Sequence, residues 1–134
     1  MLIPGCGNSK LGEGLYGDGF QHITSIDWSH TIIKVNNDEY KEKFSNMKFK
    51  QMDVHNMTFD DKTFDTVIDK GLFDAVICTQ GDPKKEIESM LTEIYRVLKP
   101  NGKYICISHG SMPQRKKYLK NLKQYNWKIT QDLI

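Results

Sequence analysis

The segment Leu2-Ile3-Pro4-Gly5-Cys6-Gly7-Asn8-Ser9 decides the fold, because an acid, Asp27, arrives 20 residues after Gly7, just past the apolar run His22–Ile26. A short apolar run enters a glycine turn, and a carboxylate stands where the next strand ends. Glycines let backbone amides come close to a ligand, and a carboxylate at a strand end can accept from both hydroxyls of a ribose. Gly5-Cys6-Gly7 alone is a weak signal, since a turn needing positive φ reads the same way. The spacing to Asp27 is what favours a nucleotide-like ligand at the edge of a sheet.

Outward from this segment, apolar runs alternate with helical patterns. Strand-like runs are Leu2–Pro4, His22–Ile26, Lys48–Met52, Phe64–Asp69, Tyr104–Ser108 and Lys128–Thr130. Leu11 and Leu15, four apart, follow the glycine turn as a helical pair. Ser29 suits the N-cap of a helix carrying Ile32, Ile33, Tyr40 and Phe44. Pro83 suits a first helical turn, and Ile87, Met90, Leu91, Ile94 and Leu98 recur at helical spacing after it. Lys99-Pro100-Asn101-Gly102 stops that helix, because proline cannot continue it and Asn-Gly turns readily. A last helix is expected over Pro113–Gln124. Strands alternating with helices predict right-handed crossovers and an open, doubly wound, mainly parallel α/β sheet with helices on both faces. The glycine turn then lies at the carboxyl ends of the strands, where such folds bind ligands.

Composition bounds the function. The 134 residues, 38% hydrophobic and 27% charged, suit one domain with a modest core. A formal charge of +2 is too small to argue for nucleic acid. No apolar run approaches the ~18–20 residues of a membrane span, and the N-terminus lacks the pattern of a secretory signal. Cys6, Cys78 and Cys106 are odd in number and lack metal-like spacing, which reads as reduced thiols in a cytoplasmic protein. His22, His30, His55 and His109 are scattered and form no metal motif. The first strand begins at residue 2 and residues 127–134 read as the start of another, so a larger domain is expected to extend past both ends.

A nicotinamide dehydrogenase would share the glycine turn and Asp27. Two features oppose it. Lys10 occupies the position of the third glycine in G-x-G-x-x-G, and a second acid, Asp53, ends the third strand-like run. A carboxylate there can accept from an exocyclic amine, which fits an adenine between the second and third strands; a solvated acid is the plainer alternative.

Gly5-x-Gly7, Asp27, Asp53-Val54, Phe64-Asp65-Thr66-Val67-Ile68-Asp69 and Ile94-Tyr-Arg-Val-Leu-Lys-Pro-Asn-Gly102 occur in this order. Together they resemble the class I S-adenosylmethionine-dependent methyltransferases, across nearly the whole chain, and imply their Rossmann-like fold. Gly5–Ser9, Leu15-Tyr16, Ile26–Ser29 and Asp69–Ala75 resemble more closely one eukaryotic branch. It holds the endothelin-converting-enzyme-2-like methyltransferases and the lysine methyltransferases of translation elongation factor 1 alpha. The resemblance implies S-adenosyl-L-methionine as cofactor, S-adenosyl-L-homocysteine as product, and a protein lysine as acceptor, a translation factor among the candidates; the alternatives are a small-molecule or RNA acceptor, or an inactive cofactor-binding module.

The same resemblance implies the site residues. Gly5 and Gly7 face the methionine and ribose portions, Asp27 takes the ribose hydroxyls, and Trp28 packs near the adenine, ordinary core packing being its alternative. Asp53 and Val54 hold the adenine edge. Asp69 and Lys70 line the methyl-transfer end, with Lys70 as a solvated loop residue the alternative. Ile3 stands where most class I enzymes carry an acid, Ser9 replaces the last glycine of the motif, and the family's segment before the first strand, like its last strand, is expected to fall outside these 134 residues. Direct in-line transfer requires no dedicated nucleophile, so no catalytic residue is named. A lysine acceptor must be neutral, at about 4.6 kcal/mol near pH 7 for a reference pKa of ~10.4; Asp69 and Asp74 are candidates to lower that cost. Asp69-Lys70-Gly71-Leu72 stands where enzymes methylating base amines resemble one another in Asn/Asp-Pro-Pro-aromatic, which argues against a nucleobase. Arg115-Lys116-Lys117, with Lys120 and Lys123, keeps nucleic acid open as a partner, but reads first as a solvated helix face, or as a surface that steers an acidic protein.

Overall fold

The computed structural model describes residues 1–119 and 124–130. Its elements are β1 (Leu2–Pro4), α1 (Leu11–Gly17), β2 (Ile23–Asp27), α2 (His30–Tyr40), β3 (Met47–Gln51), β4 (Phe64–Lys70), α3 (Leu72–Ile77), α4 (Pro83–Val97), β5 (Leu98–Ile107) and α5 (Met112–Leu119). The five strands form one sheet in the order β3-β2-β1-β4-β5, and every pairing is parallel. The α/β, doubly wound architecture expected from the sequence is therefore present. Connections run outward on one side of β1 to β3, then resume on its other side at β4. A crevice opens at such a reversal, at the carboxyl ends of the strands.

Period-2 alternation along the strands sorts the core to two faces. Leu2, Ile26 and Val67 join one cluster with Phe73, Val76 and the buried stripe of α4, Ile87, Met90, Leu91, Ile94 and Val97. Ile3, Ile23 and Met47 join the other, under Leu11, Leu15, Ile32 and Ile33 of α1 and α2. Each fully buried aliphatic side chain contributes about 1.5–3 kcal/mol of gross transfer energy, so α4 is the largest single brace of its face. Ser29 caps α2, its hydroxyl accepting from the Ile32 amide at 3.4 Å. Asp82 caps α4, with Pro83 in the first turn.

The β3–β4 connection contains no helix. It is held along α4 by side chains at helical spacing. The Met57 amide donates to Glu93 Oε2 at 2.6 Å. Arg96 donates to the carbonyls of Met57 and Phe59 at 2.8 and 2.7 Å and to Asp61 at 2.8 Å, while pairing with Glu93 at 2.7 Å. Val54 and Met57 are buried beneath this strap.

Two expectations are corrected, one element is new and one is seen only in part. β5 begins at Leu98, well before Tyr104: the Lys99-Pro100-Asn101-Gly102 turn lies inside the strand, as a register shift opposite Phe64–Thr66. Asn101 takes φ 65° there, and a Cβ on Gly102 would sit 2.8 Å from the Lys99 carbonyl. α3 has no counterpart in the periodicity, because Leu72–Ile77 is only six residues long and apolar at all but Asp74, too short and too uniform to show a helical stripe. Lys128–Thr130 joins no strand among the described residues; Tyr125 and Trp127 instead stack against Tyr95 and Tyr104. The last helix spans Met112–Leu119, and the remainder of Pro113–Gln124 up to residue 123 lies outside the described residues.

Arg96→Met removes the donors of two backbone carbonyls and the partner of Glu93. We expect a loss of about 2 kcal/mol, moderated by the partial exposure of the arginine. Urea denaturation should show a lower midpoint at unchanged slope; a loss below ~0.5 kcal/mol, the level of an ordinary surface substitution, would rule out the strap.

Candidate functional site

Parallel pairing brings the ends of all five strands to one edge. Pro4 lies beside Ile26, Asp27 beside Gln51, and Lys70 beside Ile107. The residues following them are Gly5–Gly7, Trp28, Asp53, Gly71 and Ser108–His109.

The glycine turn is built by long-range hydrogen bonds. The Cys6 amide donates to the Ile26 carbonyl at 3.0 Å. The Gly7 amide donates to Asp27 Oδ2 at 2.9 Å, and the Ser29 amide to Oδ1 at 2.9 Å. Asn36, buried on α2, donates to the Gly7 carbonyl at 2.9 Å and lies 3.7 Å from Cys6 Sγ. Gly5 and Gly7 adopt φ 59° and 50°. A Cβ on Gly5 would come within 2.7 Å of Leu72, so the turn passes directly under the start of α3; a Cβ on Gly7 would meet nothing within 4 Å and would project into open space. Burial, with the Asp27 carboxylate adding to it, pushes the Cys6 thiol up to about 12, which leaves it unreactive.

Each expected site residue has a definite place. Asp27 is buried to 8% exposure at the turn, and its oxygens keep lone pairs beyond the two backbone donors. Trp28 is 81% exposed beside it, so the core-packing alternative does not hold. Asp53 lies two residues past β3 and not on it, exposed, with Oδ1 accepting from the His55 amide and ring Nδ1 at 2.9 and 2.8 Å. Val54 is buried in the core, so only its backbone can meet a ligand. Lys70 is exposed at the end of β4.

Asp69 is a correction. Its carboxylate points into the protein, fully buried. It accepts from the amides of Leu72 (2.8 Å) and Phe73 (3.1 Å) at the start of α3 and from the Tyr104 hydroxyl at 2.8 Å. It fixes the turn through Gly71, with its side chain closed off from the edge where the strands end. Asp74 is likewise committed. Ser108 donates to it at 2.7 Å and the His109 amide at 3.0 Å, and Arg115 forms an ion pair with it. Neither acid is free to take a proton from an acceptor.

The residues fit S-adenosylmethionine. Asp27 presents a carboxylate for ribose hydroxyls, the Gly7 side of the turn is sterically open, Trp28 offers an exposed face, and Asp53 Oδ2 has no partner among the described residues. A methyltransferase domain family model matches residues 1–133. The chain belongs to this family. It is 36% identical over 130 residues to a protein of Bos taurus described as eEF1A lysine and N-terminal methyltransferase, covering 96% of this chain and 19% of that one. A Mus musculus EEF1A lysine methyltransferase 4 is 29% identical over 136 residues, covering 96% and 52%. A solved S-adenosylmethionine-dependent methyltransferase of Methanosarcina mazei superposes with a TM-score of 0.71 at 26% identity, over 89% of this chain and 56% of that one. The chain thus spans about a fifth of the length of the Bos taurus relative. It is a methyltransferase domain of the S-adenosylmethionine-dependent class.

Asn36 was not legible as a site residue. Its signal, a polar residue on the inward face of α2 three places after Ile33, is visible once the helix is placed. Two predictions follow from the geometry. Asp27→Ala should weaken S-adenosylhomocysteine binding by at least a hundredfold and Asn36→Ala by about tenfold, the scale of lost bonds to charged and neutral partners respectively; calorimetric titration reads both, and wild-type affinity in the Asp27 variant would overturn the ribose assignment. Burial, opposed by the Tyr104, Phe73 and Leu72 donors, raises the carboxyl of Asp69 above its ordinary 3.8. The folded state therefore holds that proton more tightly than the unfolded chain, and this contribution to stability is lost as pH rises from 3.8 through the folded value. Urea titrations across that range should show the stability gap between wild type and Asp69→Asn shrinking with rising pH.

Proposed function

We propose that this domain transfers a methyl group from S-adenosylmethionine to a lysine of a protein, translation elongation factor 1A being the first candidate. The observation that carries this reading is the 36% identity to an eEF1A lysine and N-terminal methyltransferase across 96% of the chain. The Asp69-Lys70-Gly71-Leu72 segment supports it, since it builds a capped helix start where a base-amine enzyme resembles Asn/Asp-Pro-Pro-aromatic. Action in the cytoplasm is part of the proposal, supported by three cysteines in the free thiol form.

The bound cofactor supplies an electrophilic methyl group on a sulfonium. What this chain must do is hold ribose at Asp27, leave the Gly7 side of the turn open, and admit the acceptor amine near the ends of β4 and β5. Orientation of this kind can lower a barrier by roughly 7–11 kcal/mol. Neutralising the lysine costs about 4.6 kcal/mol at pH 7. Because Asp69 and Asp74 are both occupied, the acceptor proton passes to solvent before transfer and not to either carboxylate. Transfer should therefore accelerate with rising pH.

Full-length protein incubated with labelled cofactor, purified elongation factor 1A and total RNA tests the proposal. Label on a lysine, located by tandem mass spectrometry and reduced more than a hundredfold by Asp27→Ala, is the expected outcome. Label confined to RNA or to small molecules would overturn the lysine assignment.

A further inference from the structure

His55 belongs to no motif of the chain, yet it is the most constrained histidine in the described structure. It follows β3 by four residues, on the β3–β4 connection. Its backbone amide and its ring Nδ1 both meet Asp53 Oδ1, at 2.9 and 2.8 Å. Its other ring nitrogen, Nε2, is buried and makes no hydrogen bond, and it lies 3.4 Å from Glu86 Oε2 in the first turn of α4. One imidazole therefore stands between an otherwise exposed carboxylate, which it holds, and the first turn of the best-buried helix of the domain, against which it is seated.

A surface aspartate held at one point rotates freely about its side chain. Two donors on the same oxygen leave one orientation, and they leave the other oxygen, Oδ2, without a partner among the described residues. The His55 amide, opposed by desolvation and joined by the His55 imidazole, also holds the Asp53 carboxyl below its ordinary value, so Oδ2 stays an acceptor only. The carboxylate sits on the ligand edge, two residues past Gln51, whose side chain in turn donates to the Trp28 carbonyl at 3.1 Å. An isolated exposed pair of this kind would contribute little to stability; its value lies in fixing direction.

We infer that His55 is a positioning residue that sets the selectivity of the site for a 6-aminopurine, by holding Asp53 with Oδ2 turned to the exocyclic amine. The inference rests on the reading of Asp53 as the adenine-edge acceptor and goes beyond it. An acceptor fixed in place rewards an amine donor. The same acceptor on a swinging side chain rewards it far less, because its ordering must occur on binding.

The test compares S-adenosylhomocysteine with its analogue bearing hydrogen in place of the 6-amino group, by calorimetry on the intact protein. Wild type should prefer the amine by about tenfold, the scale of one hydrogen bond to a charged acceptor. His55→Ala should reduce that preference at least threefold, and His55→Gln, which keeps a donor, should restore part of it. Glu86→Gln, which leaves His55 in place but removes the charge behind it, should give a smaller reduction and serves if His55→Ala does not fold. Undiminished preference in His55→Ala, or equal loss of affinity for both ligands, overturns the positioning role. If wild type and Asp53→Asn alike show no preference, the adenine reading of Asp53 fails and the inference fails with it. Binding of neither ligand to wild type would instead strike at the cofactor assignment itself.

Discussion

The structure depends on the hydrogen bond from the Gly7 amide to the Asp27 carboxylate. It joins the end of β1 to the end of β2 and fixes the backbone on which a ligand must rest. A carboxylate at 8% exposure is costly to bury unpaired. The amides of Gly7 and Ser29 offset that cost, and they point the remaining lone pairs outward. The same bond explains why Gly7 is glycine. Its φ of 50° brings the amide to Asp27, and its missing Cβ leaves the adjacent space empty. Gly5 serves a different neighbour, since a side chain there would strike Leu72 of α3. One turn therefore reconciles the acid of β2 with the helix start beyond β4.

Three aspartates at strand ends illustrate how environment assigns role. Asp27 is buried but turned to the edge, Asp53 is exposed, and Asp69 is buried and turned inward. By residue type and position in the chain they are alike. What separates them is the direction the backbone imposes, by strand alternation for Asp27 and Asp69 and by the connection past β3 for Asp53, and the donors each meets. Asp69 finds two amides and a tyrosine hydroxyl inside the fold, and so becomes a helix cap.

Much of the fold was legible because its determinants are local. The glycine turn, the Ser29 cap, the Pro83 start and the α4 stripe each sit within a few residues of what they specify. The parallel sheet followed from their alternation. The same locality made Asp27 readable through its spacing. Elements were misplaced where a distant partner decides. The start of β5 depends on pairing with β4 across the Lys99–Gly102 turn. The direction of Asp69 depends on Tyr104, 35 residues away. Asn36 and His55 were silent for the same reason, since each acts through a group on another element. Residues 128–130 carry strand character, but Tyr125 and Trp127 settle into an aromatic cluster instead.

The helix-free β3–β4 connection extends this argument to the site. A crossover without a helix has no internal ladder, so its shape must be imposed from outside. Here α4 does so through His55 at Glu86, Met57 at Glu93, and the Met57 and Phe59 carbonyls at Arg96. These positions recur on one face of α4, seven and then three residues apart. The helix therefore works as a ruler that fixes the connection from the ligand edge to the start of β4. Asp53 stands at the edge end of that ruler, held by His55 where the connection meets a helix packed on the far side of the sheet from α1 and α2. The two halves of the candidate site are thus braced from opposite faces: Asn36 of α2 holds the glycine turn, and His55, seated beside Glu86 of α4, holds the acid beyond β3. A ligand bridging the turn and that acid would couple two layers that otherwise meet only through the sheet between them.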